Sequence, residues 1–184
     1  PHQTVMGFNR TLERVLAMDP DRLSIYNYAH LPSLFKPQRR IRSAEVPTGA
    51  SKLSMLSRSL DAFMGAGYVY VGMDHFALPT DSLAIAKRQG RLHRNFQGYS
   101  TQPDCDLIAL GVSAIGKVGA TYSQNVKTLE EYYDSIDAGV LPVQRGLALS
   151  RDDLVRRAVI MAIMCQGSVL YEAMEQAWLI DFHQ

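Results

Sequence analysis

The chain has 184 residues and a formal charge of +1 at pH 7, with 47% hydrophobic and 20% charged residues. This composition is typical of globular proteins, and so small a net charge excludes an extended electrostatic footprint for nucleic acid. No apolar run is long enough to span a bilayer, and no signal peptide is visible at Pro1. We therefore expect a cytoplasmic protein with neither membrane nor nucleic-acid partners. Because the chain does not begin with Met, we also expect that its ends are arbitrary.

The first half of the chain predicts an alternation of helices and strands that is typical of α/β proteins. In chain order, the segments are a helix over 5–16, a strand over 23–28, a long loop over 31–47, a helix over 53–64, a strand over 68–73 and a short helix over 80–90. Thr4 is a candidate N-cap of the first helix. Leu53, Phe63 and Met64 belong to an apolar stripe of the second helix, and we expect this stripe to face the core.

The second half predicts a buried strand over 107–111, a helix over 128–138, an edge strand over 142–149, and helical structure over 152–182 with a break near Gly167. Thr128 and Glu131 have the spacing of a capping box. A stripe of apolar residues in the last segment is interpreted as core; it consists of Val155, Ile160, Met161 and Met164. The order of elements fits the second half of a parallel α/β layer or partial barrel, followed by helices that begin another layer or domain.

The two cysteines, Cys105 and Cys165, argue against a metal site built from thiolates. Neither belongs to a Cys-x-x-Cys pair, so a zinc site on cysteine is not expected. An iron–sulfur cluster needs three or four closely placed thiolates, which this chain does not contain. The sequence therefore predicts two reduced thiols and no metal ligands of its own.

Polar residues follow two of the predicted strands, where parallel α/β proteins place their sites. Tyr28, Ala29 and His30 follow the first strand, and a small Ala29 would let a nucleoside approach the backbone. Asp74 and His75 follow the second and have the composition of an acid–base pair. Adjacent residues of a strand point to opposite faces, however, so a purely structural His75 is the alternative interpretation.

The segment over 91–101, with the sequence RLHRNFQGYST, lies between Gly90 and a turn predicted at Pro103. An amide beside an aromatic ring, with Gly98 permitting close approach, suits a flat or carboxylate-bearing ligand. Loops on a rigid scaffold often carry function. The alternative is that Phe96 and Tyr99 are core residues while the arginines of the segment are solvated.

Five segments resemble, in the same order, those of the oxygen-independent coproporphyrinogen III oxidases, which are radical S-adenosylmethionine (SAM) enzymes of haem biosynthesis. The segments are 20–24 running into 27–32, then 72–77, 92–99, 110–115 and 145–149 ahead of 151–153. The resemblance covers essentially the whole chain, and residues 93–99 are its specific part.

The resemblance implies the α/β fold class, with residues 1–120 as the C-terminal half of a radical-SAM (β/α) barrel and residues 121–184 as the mainly helical start of the C-terminal domain. It implies an enzyme that oxidatively decarboxylates two propionates of coproporphyrinogen III to vinyl groups, giving protoporphyrinogen IX. A reduced [4Fe–4S] cluster and two SAM molecules are the implied cofactors. An electron donor protein is also implied, but not its identity.

By position, the resemblance assigns Phe96 and Gln97 to catalysis, and Ala29 and Ile115 to SAM binding. Further candidates are Tyr28, His75 and Arg94. The family's Cys-x3-Cys-x2-Cys motif is absent from this chain, so we expect a fragment that is inactive alone. The alternative is a haem- or porphyrin-binding, chaperone-like protein or a non-catalytic remnant of the superfamily, for which His30, His75 or His93 would supply an axial ligand.

Overall fold

A computed structural model describes residues 1–102 and 105–182, and the chain divides into two compact units between Arg88 and Gln89. The boundary predicted between residues 120 and 121 instead falls within a β-hairpin of the second unit. The division of the longer family proteins into domains stays a prediction. The turn predicted at Pro103 lies outside the described residues. Within the described ranges, no helix combines the length and apolar character that a bilayer crossing requires.

The first unit packs helices against a three-stranded antiparallel sheet with the strand order β1-β3-β2. Its elements are α1 (Val5–Ala17), β1 (Arg22–Ser24), α2 (Gly49–Gly65), β2 (Val69–Gly72), β3 (His75–Ala77) and α3 (Ser82–Arg88). Two short 3-10 turns, Lys36–Arg40 and Ser43–Glu45, occupy the loop predicted over 31–47. The strand predicted over 23–28 is confirmed only in its first part, since β1 ends at Ser24.

Side-chain caps determine where the helices of this unit begin. The Thr4 hydroxyl accepts a hydrogen bond from the Gly7 amide at 3.0 Å, as predicted for α1. The Thr48 hydroxyl does the same for α2, and the Asp81 carboxylate accepts from the Leu83 amide at 2.7 Å at the start of α3. Each cap satisfies an amide that has no partner within its own helix.

The core of the first unit is an aromatic cluster between the helices and the sheet. Leu12 of α1 and Phe63 of α2 meet Tyr68 and Phe76, all of them buried. The ring centroids of Phe63 and Phe76 lie 5.1 Å apart, a distance at which aromatic pairs stabilise one another beyond their buried area.

The predicted apolar stripe of α2, which also includes Leu56 and Leu60, is correct for Phe63 and for Leu60, which packs against the core. Leu56 is half-buried, and the stripe is wrong for its two ends. Leu53 and Met64 are 68% and 57% exposed, whereas Met55, Ser59 and Phe63 form the buried face. Ser59 is compatible with burial because its hydroxyl donates to the Met55 carbonyl at 2.8 Å. Because the centre of the buried face is the polar residue Ser59, a pattern of apolar residues does not identify this face.

The second unit contains a β-hairpin, a three-stranded antiparallel sheet with the order β6-β7-β8, and three helices. Its elements are β4 (His93–Asn95), β5 (Gly98–Ser100), β6 (Ile115–Val118), β7 (Thr121–Asn125), α4 (Leu129–Asp137), β8 (Val143–Ala148), α5 (Arg151–Gln166) and α6 (Tyr171–Trp178). Strand β8 is the predicted edge strand, and α5 ends before Gly167, which adopts a left-handed φ of 78°. Thr128 is the N-cap of α4, since its hydroxyl accepts the Glu131 amide at 3.4 Å. The Glu131 carboxylate accepts the Thr128 hydroxyl instead of the Thr128 amide, so the predicted capping box is only half formed.

The mixture of helices and strands expected from the sequence is confirmed, but the predicted parallel pairing is wrong for this chain. Every strand pair among the described residues is antiparallel. Two-residue turns connect β2 to β3 and β4 to β5, and connections this short join only antiparallel strands. The segment over 107–111 is not a strand: it makes one bridge, Leu107 to Lys117, and Leu110 is 82% exposed.

Truncating Phe63 to alanine tests the aromatic core. Because Phe63 is buried against two other rings, we expect Phe63→Ala to lower the free energy of unfolding by about 3–5 kcal/mol. Leu53→Ala, on the exposed face of the same helix, is the matched control and should change it by less than about 0.5 kcal/mol. Urea unfolding followed by circular dichroism measures both. Equal losses would contradict the assignment of the buried face.

Candidate functional site

The second unit contains a cleft of about 630 Å³ between the β4–β5 hairpin, the β6–β7 hairpin and α5. This volume lies in the range of small-molecule sites. Its apolar wall consists of Phe96, Leu107, Tyr122, Leu149, Ile160, Met161 and Met164. Its charged and strongly polar lining includes His93, Arg94, Lys117, Arg156 and Arg157 as well as Asp106 and Asp153.

The turn of the β4–β5 hairpin presents Phe96 to this cleft. Asn95 and Gly98 are paired across the turn, which leaves Phe96 and Gln97 as its two central residues. The Asn95 side-chain oxygen accepts the Gln97 amide at 2.9 Å, and Gly98 adopts a φ of 139° that few other residues tolerate. The Phe96 ring meets the Tyr122 ring edge-on at 5.3 Å and is still 56% exposed. Much of its surface is therefore available for a ligand.

Arg94 and Tyr99 lie directly opposite each other on β4 and β5. The Arg94 guanidinium lies 4.8 Å above the Tyr99 ring, in cation–π geometry. The Tyr99 hydroxyl donates to the Met164 carbonyl of α5 at 2.7 Å, which attaches the hairpin to the helix. One guanidinium nitrogen of Arg94, Nη1, is buried and has no hydrogen-bond partner among the described residues.

The two carboxylates of the cleft already accept hydrogen bonds from neighbouring groups of the protein. Asp153 accepts the Ser150 amide at 2.9 Å and the Ser150 hydroxyl at 2.7 Å, in the capping box of α5. These hydrogen bonds, the hydroxyl first, lower the pKa of Asp153 below its usual value. Asp106 accepts the Gly119 amide at 2.7 Å. At the rim, Arg156 pairs with Asp152 at 2.6 Å.

The structure brings together some, but not all, of the residues proposed from the sequence. Phe96 lines the cleft, and Gln97 is exposed at the same turn. Ile115 is half-buried on β6, paired with Gln124, two positions before the cleft residue Lys117. Ala29 belongs to the first unit, where it is exposed and its carbonyl accepts the Gln38 side-chain amide at 3.1 Å.

In the first unit, the predicted pair of Asp74 and His75 lies at a strained hairpin turn. Met73 and Asp74 are the central residues of the β2–β3 turn, with φ values of 42° and 63°. The His75 Nδ1 donates to the Met73 carbonyl at 2.7 Å, which leaves Nε2 to accept the Tyr26 hydroxyl at 3.0 Å. Tyr26 was not singled out from the sequence, because no local pattern links it to a histidine so far along the chain.

The small cavity of the first unit is not large enough for a nucleoside. It has a volume of about 80 Å³ and borders Tyr26, Tyr28 and Asp74. Ligand pockets usually measure roughly 300–1,000 Å³, so this space is well below the usual size of a small-molecule site. Within the described residues, no cluster of three His, Cys, Asp or Glu side chains has the geometry to hold a metal ion. Cys105 is exposed and Cys165 is buried.

The apolar stripe of α5 is the part of the cleft that sequence reasoning assigned elsewhere. The sequence pattern assigns it to the core, but Met161 and Met164 are half-buried and line the cleft, Ile160 is 57% exposed there, and Val155 is half-buried without lining the cleft. The one feature of the sequence that could have indicated the α5 wall is Tyr99, because a tyrosine hydroxyl needs a hydrogen-bond partner when its ring is packed. That signal does not identify the partner as the Met164 carbonyl.

No family model matches the chain. It is 50% identical over 182 residues to the oxygen-independent coproporphyrinogen III oxidase of Pseudomonas aeruginosa, and 47% identical over 182 residues to the protein of that name from Escherichia coli. The chain is homologous to these oxidases. The resemblance read from the sequence is thereby confirmed. Each alignment covers 99% of this chain and 40% of the relative, so the chain spans about two fifths of the length of the curated relatives it matches.

A solved structure supports the same relationship. It is described as coproporphyrinogen III oxidase (HemN) from Escherichia coli, a radical SAM enzyme, and it matches this chain with a TM-score of 0.93 at 48% sequence identity. The match covers 98% of this chain and 42% of that one. It confirms the α/β fold class at the level of a mixed helix and strand architecture.

The Tyr99 hydroxyl provides a test of how the hairpin is attached to α5. Tyr99→Phe keeps the ring under Arg94 and removes only the donor to Met164, so we expect a loss of about 1 kcal/mol in the free energy of unfolding. Tyr133→Phe, an exposed tyrosine of α4, is the matched control and should be neutral. Chemical denaturation measures both, and a neutral Tyr99→Phe would contradict the attachment.

The lowered pKa of Asp153 gives a pH dependence with a definite sign. The folded state favours the ionised carboxylate, so its contribution to stability is present above the unfolded value of 3.8 and is lost as the pH falls through the lowered folded pKa. Asp153→Asn should therefore lower the melting temperature most near neutral pH, with the gap closing in strong acid. Asp134→Asn, on α4, is the control. A difference in melting temperature between Asp153→Asn and the wild type that grows in acid would contradict the capping role.

Proposed function

We propose that this chain forms part of the reaction-chamber wall of an oxygen-independent coproporphyrinogen III oxidase. The proposed reaction is the oxidative decarboxylation of two propionates of coproporphyrinogen III to vinyl groups, giving protoporphyrinogen IX. The observation that supports it most is the identity of about one residue in two with oxidases of that name over 99% of the chain. The protein in this proposal is an oxidoreductase of haem biosynthesis, and a cytoplasmic location remains part of the proposal.

The cleft of the second unit supports the proposal on chemical grounds. A porphyrinogen is large and mostly apolar, with carboxylates at its periphery, and the cleft combines Phe96, Tyr122 and two methionines with several cations. Methionine side chains adapt to irregular apolar ligands, and aromatic rings stack on flat ones. Phe96 and Gln97, at the turn of the hairpin, remain our candidates for contact with the reacting groups.

The [4Fe–4S] cluster does not fit the residues of this chain. Cys105 and Cys165 are two thiols, one exposed and one buried, and the described residues include no other cluster of metal-binding side chains. In the proposed enzyme, its ligands come from residues outside this chain. We therefore expect these 184 residues to be inactive when they are isolated.

For SAM, the residues of this chain supply contacts rather than chemistry. When bound, SAM supplies the oxidising power that initiates hydrogen abstraction from a propionate. Ala29 is exposed with a small side chain, and Ile115 is an apolar, half-buried strand residue; both suit contact with a nucleoside. We include two SAM molecules in the proposal, with Ile115 beside the second. The electron donor protein is not identified by any residue of this chain.

Two of the three candidate histidines do not favour the alternative of a haem-binding protein, while the third, His30, has a buried Nδ1 without a hydrogen-bond partner among the described residues. Both ring nitrogens of His75 are engaged, by the Met73 carbonyl and the Tyr26 hydroxyl. His93 lines the cleft but also contacts other residues of the chain. An axial ligand needs a ring nitrogen free to bind iron. A Soret shift on adding haem to the protein, without decarboxylation by the cluster-loaded protein, would favour the alternative.

Truncating Phe96 tests the proposed chamber wall in the cluster-loaded protein that contains this chain. Phe96→Ala removes a ring that is mostly exposed, so stability should change little while kcat/KM for coproporphyrinogen III falls about three- to tenfold. Leu141→Ala, at an apolar residue of the same unit that is 80% exposed and lies outside the cleft, should leave activity unchanged. Anaerobic assay of protoporphyrinogen formation is the measurement. Unchanged activity in Phe96→Ala would count against this wall.

A further inference from the structure

The geometry points to Arg94 as a carboxylate-binding residue of the cleft. This inference rests on the proposed function, because it takes the ligand to be an acidic molecule that enters between the β4–β5 hairpin and α5. Arg94 lines that cleft, and its buried Nη1 has no hydrogen-bond partner among the described residues. A guanidinium nitrogen that is removed from water without a partner is costly, and a ligand oxygen would offset that cost.

Arg94 is held by stacking on Tyr99, a contact that leaves its Nη1 without an acceptor. Its guanidinium lies over the Tyr99 ring at 4.8 Å, and the ring is fixed by the hydrogen bond from its hydroxyl to Met164. Stacking engages the face of a guanidinium and leaves the N–H groups at its edge, where a carboxylate binds in the same plane. The side chain is therefore preorganised for an anion, with little entropy left to lose on binding.

The two acidic residues of the cleft are hydrogen-bonded to groups other than Arg94. Asp153 is occupied by the amide and hydroxyl of Ser150, and Asp106 by the Gly119 amide. Arg156, which lines the cleft, is paired with Asp152, which does not. These carboxylates have hydrogen-bond donors within the protein, whereas the Arg94 Nη1 has no acceptor among the described residues. Four Lys and Arg side chains against two Asp in the lining favour an anionic partner.

Two carboxylates are candidates, and both are present in the proposed reaction. One is a propionate of the porphyrinogen, and the other is the carboxylate of SAM. The shared chemistry is a planar carboxylate that accepts two parallel hydrogen bonds. A porphyrin ester that lacks the charge, together with a separate SAM measurement, distinguishes the two sources.

The test uses Arg94→Gln and Arg94→Lys in the cluster-loaded protein that contains this chain. Ligands are coproporphyrin III, its tetramethyl ester and SAM, measured by fluorescence titration and equilibrium dialysis. We expect Arg94→Gln to lower the affinity for coproporphyrin III about ten- to a hundredfold, because a hydrogen bond to a charged group is lost. The affinity for the ester should not change. Arg94→Lys should recover part of the affinity, since it keeps the charge without the planar fork.

Arg91→Gln is the matched control. It removes the same charge three positions earlier, from an exposed side chain that contacts Gln89 and does not line the cleft. Its ligand affinities should equal those of the wild type. Thermal unfolding of all variants separates a loss of binding from a loss of folding, and Arg94→Lys keeps the test valid if Arg94→Gln is unstable.

Each outcome decides the assignment. If Arg94→Gln weakens the binding of SAM alone, Arg94 is still a carboxylate-binding residue, and the carboxylate is that of SAM. Equal weakening of coproporphyrin III and its ester shows a packing role and overturns the assignment, as does unchanged affinity for every ligand. If the wild type neither binds coproporphyrin III nor forms protoporphyrinogen, the proposed function fails, and the SAM measurement alone decides the role of Arg94.

Discussion

The hydrogen bond from Tyr99 to the Met164 carbonyl is the contact on which the cleft depends. The last carbonyls of an α-helix have no intrahelical partner. Helix α5 ends at Gln166 because Gly167 adopts a left-handed conformation, and the Gly167 amide binds the Ile163 carbonyl. The next carbonyl, that of Met164, accepts the Tyr99 hydroxyl. The helix stop and the hairpin attachment are therefore one arrangement, and it holds one wall of the cleft against another.

The length of the hairpin turn determines what that attachment presents to a ligand. A two-residue turn between Asn95 and Gly98 pairs Arg94 with Tyr99 across the strands. A shift of one residue in this register would move the guanidinium to the opposite face of the hairpin. The same register places Phe96 at the turn, against Tyr122 of β7. The two-residue turn therefore determines the positions of both Arg94 and Phe96. Gly98 supplies the backbone conformation that closes this turn.

The parts of the fold that the sequence predicted well are those with local causes. Thr4, Thr128 and Gly167 act through neighbouring backbone groups, so their spacing alone located three helix ends. Strand direction and burial were not predictable in this way. The antiparallel pairing depends on two-residue turns at residues without the usual turn glycines, as at Met73 and Asp74. The buried face of α2 includes a serine whose hydroxyl bonds within its own helix, which no apolar pattern reveals.

In the candidate site too, the features with local causes were predictable from the sequence and the contacts between distant residues were not. The segment over 93–99 was found because its density of polar and aromatic residues is unusual and because it resembles a known family. Its partners, Tyr122 and Met164, are distant in sequence and were found only from the fold. The carboxylates of the cleft accept hydrogen bonds from Ser150 and Gly119, and the four Lys and Arg side chains of the lining outnumber its two Asp. In the proposed function, the arginine of this wall binds an acidic group while its rings and methionines contact the apolar body of a porphyrinogen.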